Sequence, residues 1–168
     1  RALQDANYVI ISIRVGGIPA VVRDFEITAK YGVDHSVGDT MGPGGVFYFL
    51  RNGAVIVDAL KDMEEVCPEA LVLNYTNPMA MNCWAMNDLT TIRNVGLCHS
   101  VQGTAFRLAD YIGAPRDAVS YWAAGINHMA WYLEFQWKGQ DAYPLIYKAM
   151  EDPDIYARDR VKFEILKH

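Results

Sequence analysis

The sequence predicts an α/β fold whose sheet is parallel up to about residue 119 and antiparallel beyond it. Three observations carry that expectation. Short runs rich in β-branched residues alternate with segments whose apolar positions recur every three or four residues. The first two early runs close on the breakers Gly16-Gly17 and Asn77-Pro78, and the third feeds Cys98-His99. After residue 119 two strand-like runs follow one another with no helical segment between them.

The elements follow in order. Residues 7–15 (NYVIISIRV) read as a buried strand ending in a tight glycine turn, and a helix is expected over about 21–31. Residues 39–45 (DTMGPGG) pack three glycines and a proline into seven positions, so they are expected to form a loop that enters a helix. From Phe47 the residues Leu50, Ala54, Val57, Leu60 and Met63 mark one face of that helix, which stops before Pro68 and is weakened by Gly53. Residues 70–75 are the next strand, 79–89 a helix, 94–97 a short strand and 101–112 another helix, ended by Gly113 and Pro115. Residues 119–124 and 129–137 are strands on either side of Gly125-Ile126-Asn127-His128. Lys138-Gly139 is a turn, and a charged amphipathic helix is expected from Ile155 onward.

Composition narrows the function classes. A chain of 168 residues that is 52% hydrophobic buries enough apolar surface to offset its ordering entropy, which excludes a disordered chain. A net charge of −5 with no basic run argues against nucleic acid. No apolar stretch is longer than residues 46–50, far short of the roughly 18 residues that span a bilayer. Cys67, Cys83 and Cys98 cannot all pair, and no secretory signal is present, so reduced thiols in the cytoplasm are expected. The chain begins on Arg1 and stops inside helical spacing at His168, and is expected to be an interior piece of a longer protein.

In open parallel sheets ligands sit at the carboxyl ends of strands, which puts Gly16-Gly17, Asn77-Pro78 and Cys98-His99 on one rim. A thiolate at Cys98 and an imidazole at His128 can ligate a divalent transition ion, leaving open positions for substrate oxygens or water. The same pair also fits a cysteine nucleophile with a histidine base, or a packed cysteine and a turn histidine. The Asn77 amide can hold a sugar or ribose hydroxyl, or simply form a side-chain-capped turn. Residues 39–45 offer backbone N–H groups at a helix start. Arg14 and Arg23 can bind substrate or stay solvated, and His35 reads as a solvated loop residue.

Four segments taken together are specific: residues 39–45 (DTMGPGG), 74–82 (NYTNPMAMN), 96–104 (GLCHSVQGT) and 124–129 (AGINHM). In order and spacing the chain resembles the NAD- and metal-dependent glycosidases of glycoside hydrolase family 4, from Ala6 to its end. The tetrapeptide 98–101 (CHSV) is similar to the form in the α-galactosidase members, which implies an unphosphorylated α-galactoside such as melibiose as substrate. α-Glucoside and α-glucuronide enzymes of the family share its first two residues. The resemblance implies NAD and Mn²⁺ as cofactors, with Cys98 and His128 as metal ligands. It implies further that Asn77 contacts sugar and cofactor, that Arg23 and Asp39 line the substrate pocket, and that His99 stands where relatives carry a general acid. A homo-oligomer is expected. The implied reaction is oxidation at carbon 3, metal-assisted elimination, water addition and re-reduction, outside the usual two-carboxylate scheme. The implied fold is the second half of a Rossmann-like sheet over 1–118, of the lactate/malate dehydrogenase type, continuing into an α+β substrate and metal domain over 119–168. The glycine-rich cofactor turn is expected before Arg1 and the tyrosine base after His168, so this segment alone is expected to be inactive. A 2-hydroxyacid dehydrogenase, which has no need of Cys98, and a non-catalytic sugar-binding relative are the rival readings.

Overall fold

The computed structural model describes residues 2–34 and 38–157. His35 and the chain beyond Ala157 lie outside the described residues, and with them most of the helix expected from Ile155. The chain forms two compact units, residues 1–98 and 99–168.

The first unit runs β1 (Tyr8–Ile11), α1 (Gly17–Lys30), α2 (Gly42–Val66), β2 (Leu71–Asn74), α3 (Met79–Leu89) and β3 (Arg93–Gly96). Its strands pair in parallel in the order β1-β2-β3, with Tyr8 opposite Leu71 and Leu71 opposite Arg93. Parallel neighbours need a crossover, and the helices supply it. One face of the sheet, with Ile11 and Val72, meets Ile56, Leu60 and Met63 of α2 and Met86 of α3 in the core. The alternate positions Tyr8, Ile10 and Val95 are exposed.

Two expectations change here. The first strand ends at Ile11, not at Val15, because the N–H groups of Ile13 and Val15 leave the ladder for side-chain acceptors. Residues 42–45, expected as loop, are the first turn of α2: N–H groups of a first turn need no intrahelical partner, so Pro43 is accommodated there. Gly16 holds φ at +80°, and a Cβ there would come within 2.7 Å of the Ala20 Cβ, so this turn into α1 requires glycine.

The second unit runs α4 (Ser100–Tyr111), a 3₁₀ turn (Arg116–Ala118), β4 (Val119–Ile126), β5 (Met129–Trp137), β6 (Gln140–Asp141) and α5 (Tyr143–Ala149). Its sheet is antiparallel, as expected after residue 119, in the order β4-β5-β6. The link between β4 and β5 is shorter than expected, because Gly125 and Ile126 remain in the ladder and Ile126 pairs with Met129. The short helix α5 was not legible in the periodicity. Phe135 centres the core, packed by Ala105 and Leu108 of α4 and Ile146 of α5. Tyr132 meets both the Tyr121 and Phe135 rings edge-on, at centroid distances of 5.5 and 5.9 Å. Its hydroxyl donates to the Val101 carbonyl and so fastens α4 to the sheet, while burial pushes the phenol up to about 12 and keeps it a donor. Among the described residues no helix is long and apolar enough to cross a membrane.

Near the end of α2 the Glu64 carboxylate accepts from the N–H of Thr91, in the link between α3 and β3, at 2.6 Å and from the Thr91 hydroxyl at 2.8 Å. Those two donors, the backbone one foremost, hold the carboxyl below its usual range. A depressed folded pKa contributes stability above the unfolded carboxylate pKa and loses it as pH falls through the folded value. Glu64→Gln is therefore expected to lower the melting temperature at neutral pH. The gap from wild type should close as thermal scans move down through the acid range. A gap that persists undiminished at the lowest pH would mean that charge is not what holds this contact.

Candidate functional site

Parallel pairing sends the carboxyl ends of β1 and β2 to the same rim, and a cleft of about 170 Å³ opens there. Ser12, Arg14, Tyr48, Tyr75, Thr76 and Asn77 line it with Ile13. Its walls are loops whose backbone groups are satisfied by side chains. The Ile13 N–H donates to the Thr76 hydroxyl at 2.8 Å, and the Val15 N–H to Oδ1 of Asn52 at 2.9 Å. Nδ2 of Asn52 donates to the Asn77 carbonyl at 3.1 Å. The Thr76 carbonyl accepts from the amides of Asn74 and Asn82, both at 3.0 Å. The side-chain-capped turn is made by Asn74, whose Oδ1 accepts the Thr76 N–H at 3.1 Å. The Asn77 amide is thereby left for another partner.

That partner is Asp39: Nδ2 of Asn77 lies 3.5 Å from Oδ2 of Asp39. Asp39 is half-buried, and Oδ1 accepts from the hydroxyl of buried Thr40 at 3.2 Å. Glycine allows the approach, since a Cβ on Gly45 would stand 2.9 Å from the Thr40 carbonyl carbon. The structure thus brings two of the expected substrate residues together, thirty-eight positions apart in the chain. Arg23 is exposed on α1 and joins neither of them in a hydrogen bond among the described residues.

Its neighbour Asp24 is buried instead and takes both terminal nitrogens of Arg51, at 2.8 and 2.6 Å. Hydrogen bonding to Asp24 raises Arg51 further above its ordinary value, against the opposing effect of burial. The Arg51 guanidinium lies 5.5 Å and that of Arg14 6.0 Å from the ring centroid of Tyr48, which is 2% exposed. The ion pair joins α1 to α2 and fixes the tyrosine that walls the cleft. Sequence reasoning missed Tyr48, Asn52 and Thr76. The expected stripe of α2 holds only from Val57 onward, since Phe47, Leu50 and Ala54 are exposed and the buried face is Tyr48, Asn52, Ile56, Leu60 and Met63; Asn52 therefore lay off the expected stripe and gave no signal.

Cys98 is half-buried just past β3, where the preceding Leu97 N–H donates to the Asn74 carbonyl at 2.9 Å. His99 is exposed at the start of α4 and borders a cleft of about 220 Å³ with Ser100, Thr104 and Arg107. His128 is exposed in the two-residue link between β4 and β5, at φ +63°. Cys98 belongs to the first unit and His99 and His128 to the second. Among the described residues no three His, Cys, Asp or Glu side chains converge. Taken singly, the Cys98 sulfur, once deprotonated, and the His128 imidazole are each donor types that divalent transition ions accept. A polar cleft at the carboxyl rim with the Arg14 cation on its wall fits part of a dinucleotide.

Residues 1–114 match the profile described as Family 4 glycosyl hydrolase, and residues 123–168 the one described as Family 4 glycosyl hydrolase C-terminal domain. The chain is 48% identical over 167 residues to an alpha-galactosidase of Bacillus subtilis (strain 168), covering 98% of this chain and 39% of that protein. It is 40% identical over 170 residues to an alpha-galactosidase of Rhizobium meliloti (strain 1021), covering 99% of this chain and 35% of that one. It spans less than half the length of these curated relatives. Among solved structures it is similar to the 6-phospho-beta glucosidase from Thermotoga maritima with manganese, NAD+ and glucose-6-phosphate. The TM-score is 0.78 and the identity 26%, over 95% of this chain and 40% of that one. The lactate dehydrogenase from Eimeria maxima matches at TM-score 0.58 and 16% identity, over 94% of this chain and 44% of that one, a likeness of fold alone.

Removing one partner of a buried pair leaves the other charge uncompensated, at a cost of about 3–5 kcal/mol when both are fully buried. Arg51 retains 28% side-chain exposure, so water relieves part of that penalty. Asp24→Asn is expected to cost about 2 kcal/mol in urea denaturation, and Asp24→Asn with Arg51→Met together less than the sum of the two. Strict additivity would show that the pair is not coupled.

Proposed function

Because the chain belongs to the family 4 glycosyl hydrolases, we propose that the full-length protein hydrolyses O-glycosidic bonds of unphosphorylated α-galactosides with NAD⁺ and Mn²⁺ as cofactors. The observation that carries this reading is the meeting of Asp39 and Asn77 at the carboxyl rim of the parallel sheet, beside a polar cleft. The sugar is supported by the tetrapeptide 98–101 and by 48% identity to an alpha-galactosidase. On this reading residues 1–118 complete the cofactor domain and 119–168 open the substrate and metal domain.

Each residue then has a task that its chemistry suits. The Asn77 amide both donates and accepts, so it can bridge a sugar hydroxyl and the cofactor while Asp39 orients it. The Asp39 carboxylate accepts hydroxyl protons, and Arg23, solvent-exposed on α1, offers a cation to the substrate. The Cys98 thiolate and the His128 imidazole would hold the divalent ion, a role that needs a reducing compartment such as the cytoplasm. His99 is the candidate proton donor to the departing oxygen. When bound, NAD⁺ supplies a reversible hydride acceptor for carbon 3 and the divalent ion a Lewis acid for the neighbouring oxygens.

Hydrolysis of p-nitrophenyl α-galactoside by the full-length protein is expected to need both NAD⁺ and a divalent ion. Desalting with a chelator should remove activity, and adding both back should restore it. Undiminished turnover after their removal overturns the proposal, and turnover of a glucoside or glucuronide alone moves the substrate within the family.

Cys98 and His128 should behave as one unit. One remaining protein ligand leaves an ion mostly hydrated, so Cys98→Ser and His128→Ala are each expected to abolish stoichiometric metal. The double variant should cost little more than either. Two residues that merely pack would instead destabilise the fold by about 1–3 kcal/mol each, additively, with metal content unchanged.

A further inference from the structure

The most deeply buried polar side chain linked to both loops of the rim is Asn52, wholly enclosed in the middle of α2. An apolar residue there would add helix propensity and core packing, and a buried amide is tolerated only when its hydrogen bonds are made. Each polar atom of the amide has a partner, and both partners are backbone groups of the two loops that wall the cleft. Oδ1 accepts the Val15 N–H at 2.9 Å, next to Arg14, and Nδ2 donates to the Asn77 carbonyl at 3.1 Å. The neighbouring Thr76 carbonyl is held twice, by Asn74 and Asn82, whereas the donor to the Asn77 carbonyl comes from α2. The same helix begins at Gly42, directly after the segment that carries Asp39. One helix thus sets the Asn77 peptide from its interior and presents the Asn77 side chain with its carboxylate partner from its start.

We propose that Asn52 is a positioning residue for Asn77: by clamping the Asn77 peptide to the loop that follows β1, it fixes where the Asn77 amide points in the site. This rests on the functional reading of Asn77 given above, since Asn52 acts through it. Asn52→Asp keeps an acceptor for the Val15 N–H but sets an oxygen against the Asn77 carbonyl, and Asn52→Ala removes both bonds.

The test is a double-mutant cycle in the full-length protein, with each Asn52 variant made in the wild-type and in the Asn77→Ala background. Turnover of p-nitrophenyl α-galactoside, NAD⁺ affinity by calorimetry and melting temperature are measured for every protein. Losing one well-made hydrogen bond corresponds to about tenfold. Each folded Asn52 variant is therefore expected to lose about tenfold or more in kcat/KM and in NAD⁺ affinity in the wild-type background. In the Asn77→Ala background it should lose less than about twofold, because the amide it positions is gone. Three results overturn the inference: the same factor in both backgrounds, wild-type behaviour of a folded variant, or failure of both Asn52 variants to fold. A wild-type protein that leaves the galactoside intact overturns the substrate assignment instead, and the NAD⁺ cycle then decides the role of Asn52.

Discussion

Parallel pairing of β1, β2 and β3 is the constraint from which the rest of the first unit follows. It sends every strand's carboxyl end to one rim and obliges the chain to return through helices. Where the strands end, backbone N–H and C=O groups lose their ladder partners, and leaving such groups buried and unpaired costs about 1–3 kcal/mol each. The chain meets that demand with side chains. Thr76 and Asn52 take the Ile13 and Val15 N–H groups, while Asn74, Asn82 and Asn52 supply donors to the carbonyls of residues 76 and 77. The asparagine-rich composition of residues 74–82 is thus a consequence of ending a parallel strand at a site.

The same economy governs the α1–α2 contact. Burying Asp24 is unfavourable by itself, and the bidentate Arg51 fork offsets it at a point where the guanidinium also covers the Tyr48 ring. An apolar pair would pack at least as well, but it would not hold a charged group over the tyrosine that walls the cleft. In the second unit an aromatic cluster around Phe135 and the Tyr132 hydroxyl performs the equivalent task, fixing α4 to an antiparallel sheet. His99, at the start of that helix, inherits its position from this packing.

Chemistry is distributed over the chain accordingly. Asp39, Asn77 and Cys98 come from the first unit and His99 and His128 from the second. Asn77 follows a strand end and Asp39 precedes a helix start, where directional backbone and amide contacts are already organised. Cys98 and His128 sit in short connections, one after a strand and one in a hairpin link, where a side chain can be presented without disturbing a ladder.

Periodicity and breakers were sufficient to determine the α/β class, the parallel-to-antiparallel change near residue 119 and nearly every element. Apolar spacing reports that a segment is helical, even where the buried face is displaced from the expected one as in the first half of α2, and Gly and Pro report local backbone limits. The motifs around Asp39, Asn77, Cys98 and His128 marked the family, because residue type and spacing are what a family preserves. Tertiary structure alone decided that β1 stops at Ile11, that residues 42–45 are helical, and that Asn74 rather than Asn77 caps its turn. It alone also paired buried Asp24 with Arg51 and gave Asn52 its two backbone partners. Each of these is settled by a hydrogen bond or a close approach between residues far apart in sequence, and a one-dimensional pattern carries no record of which distant group arrives as partner.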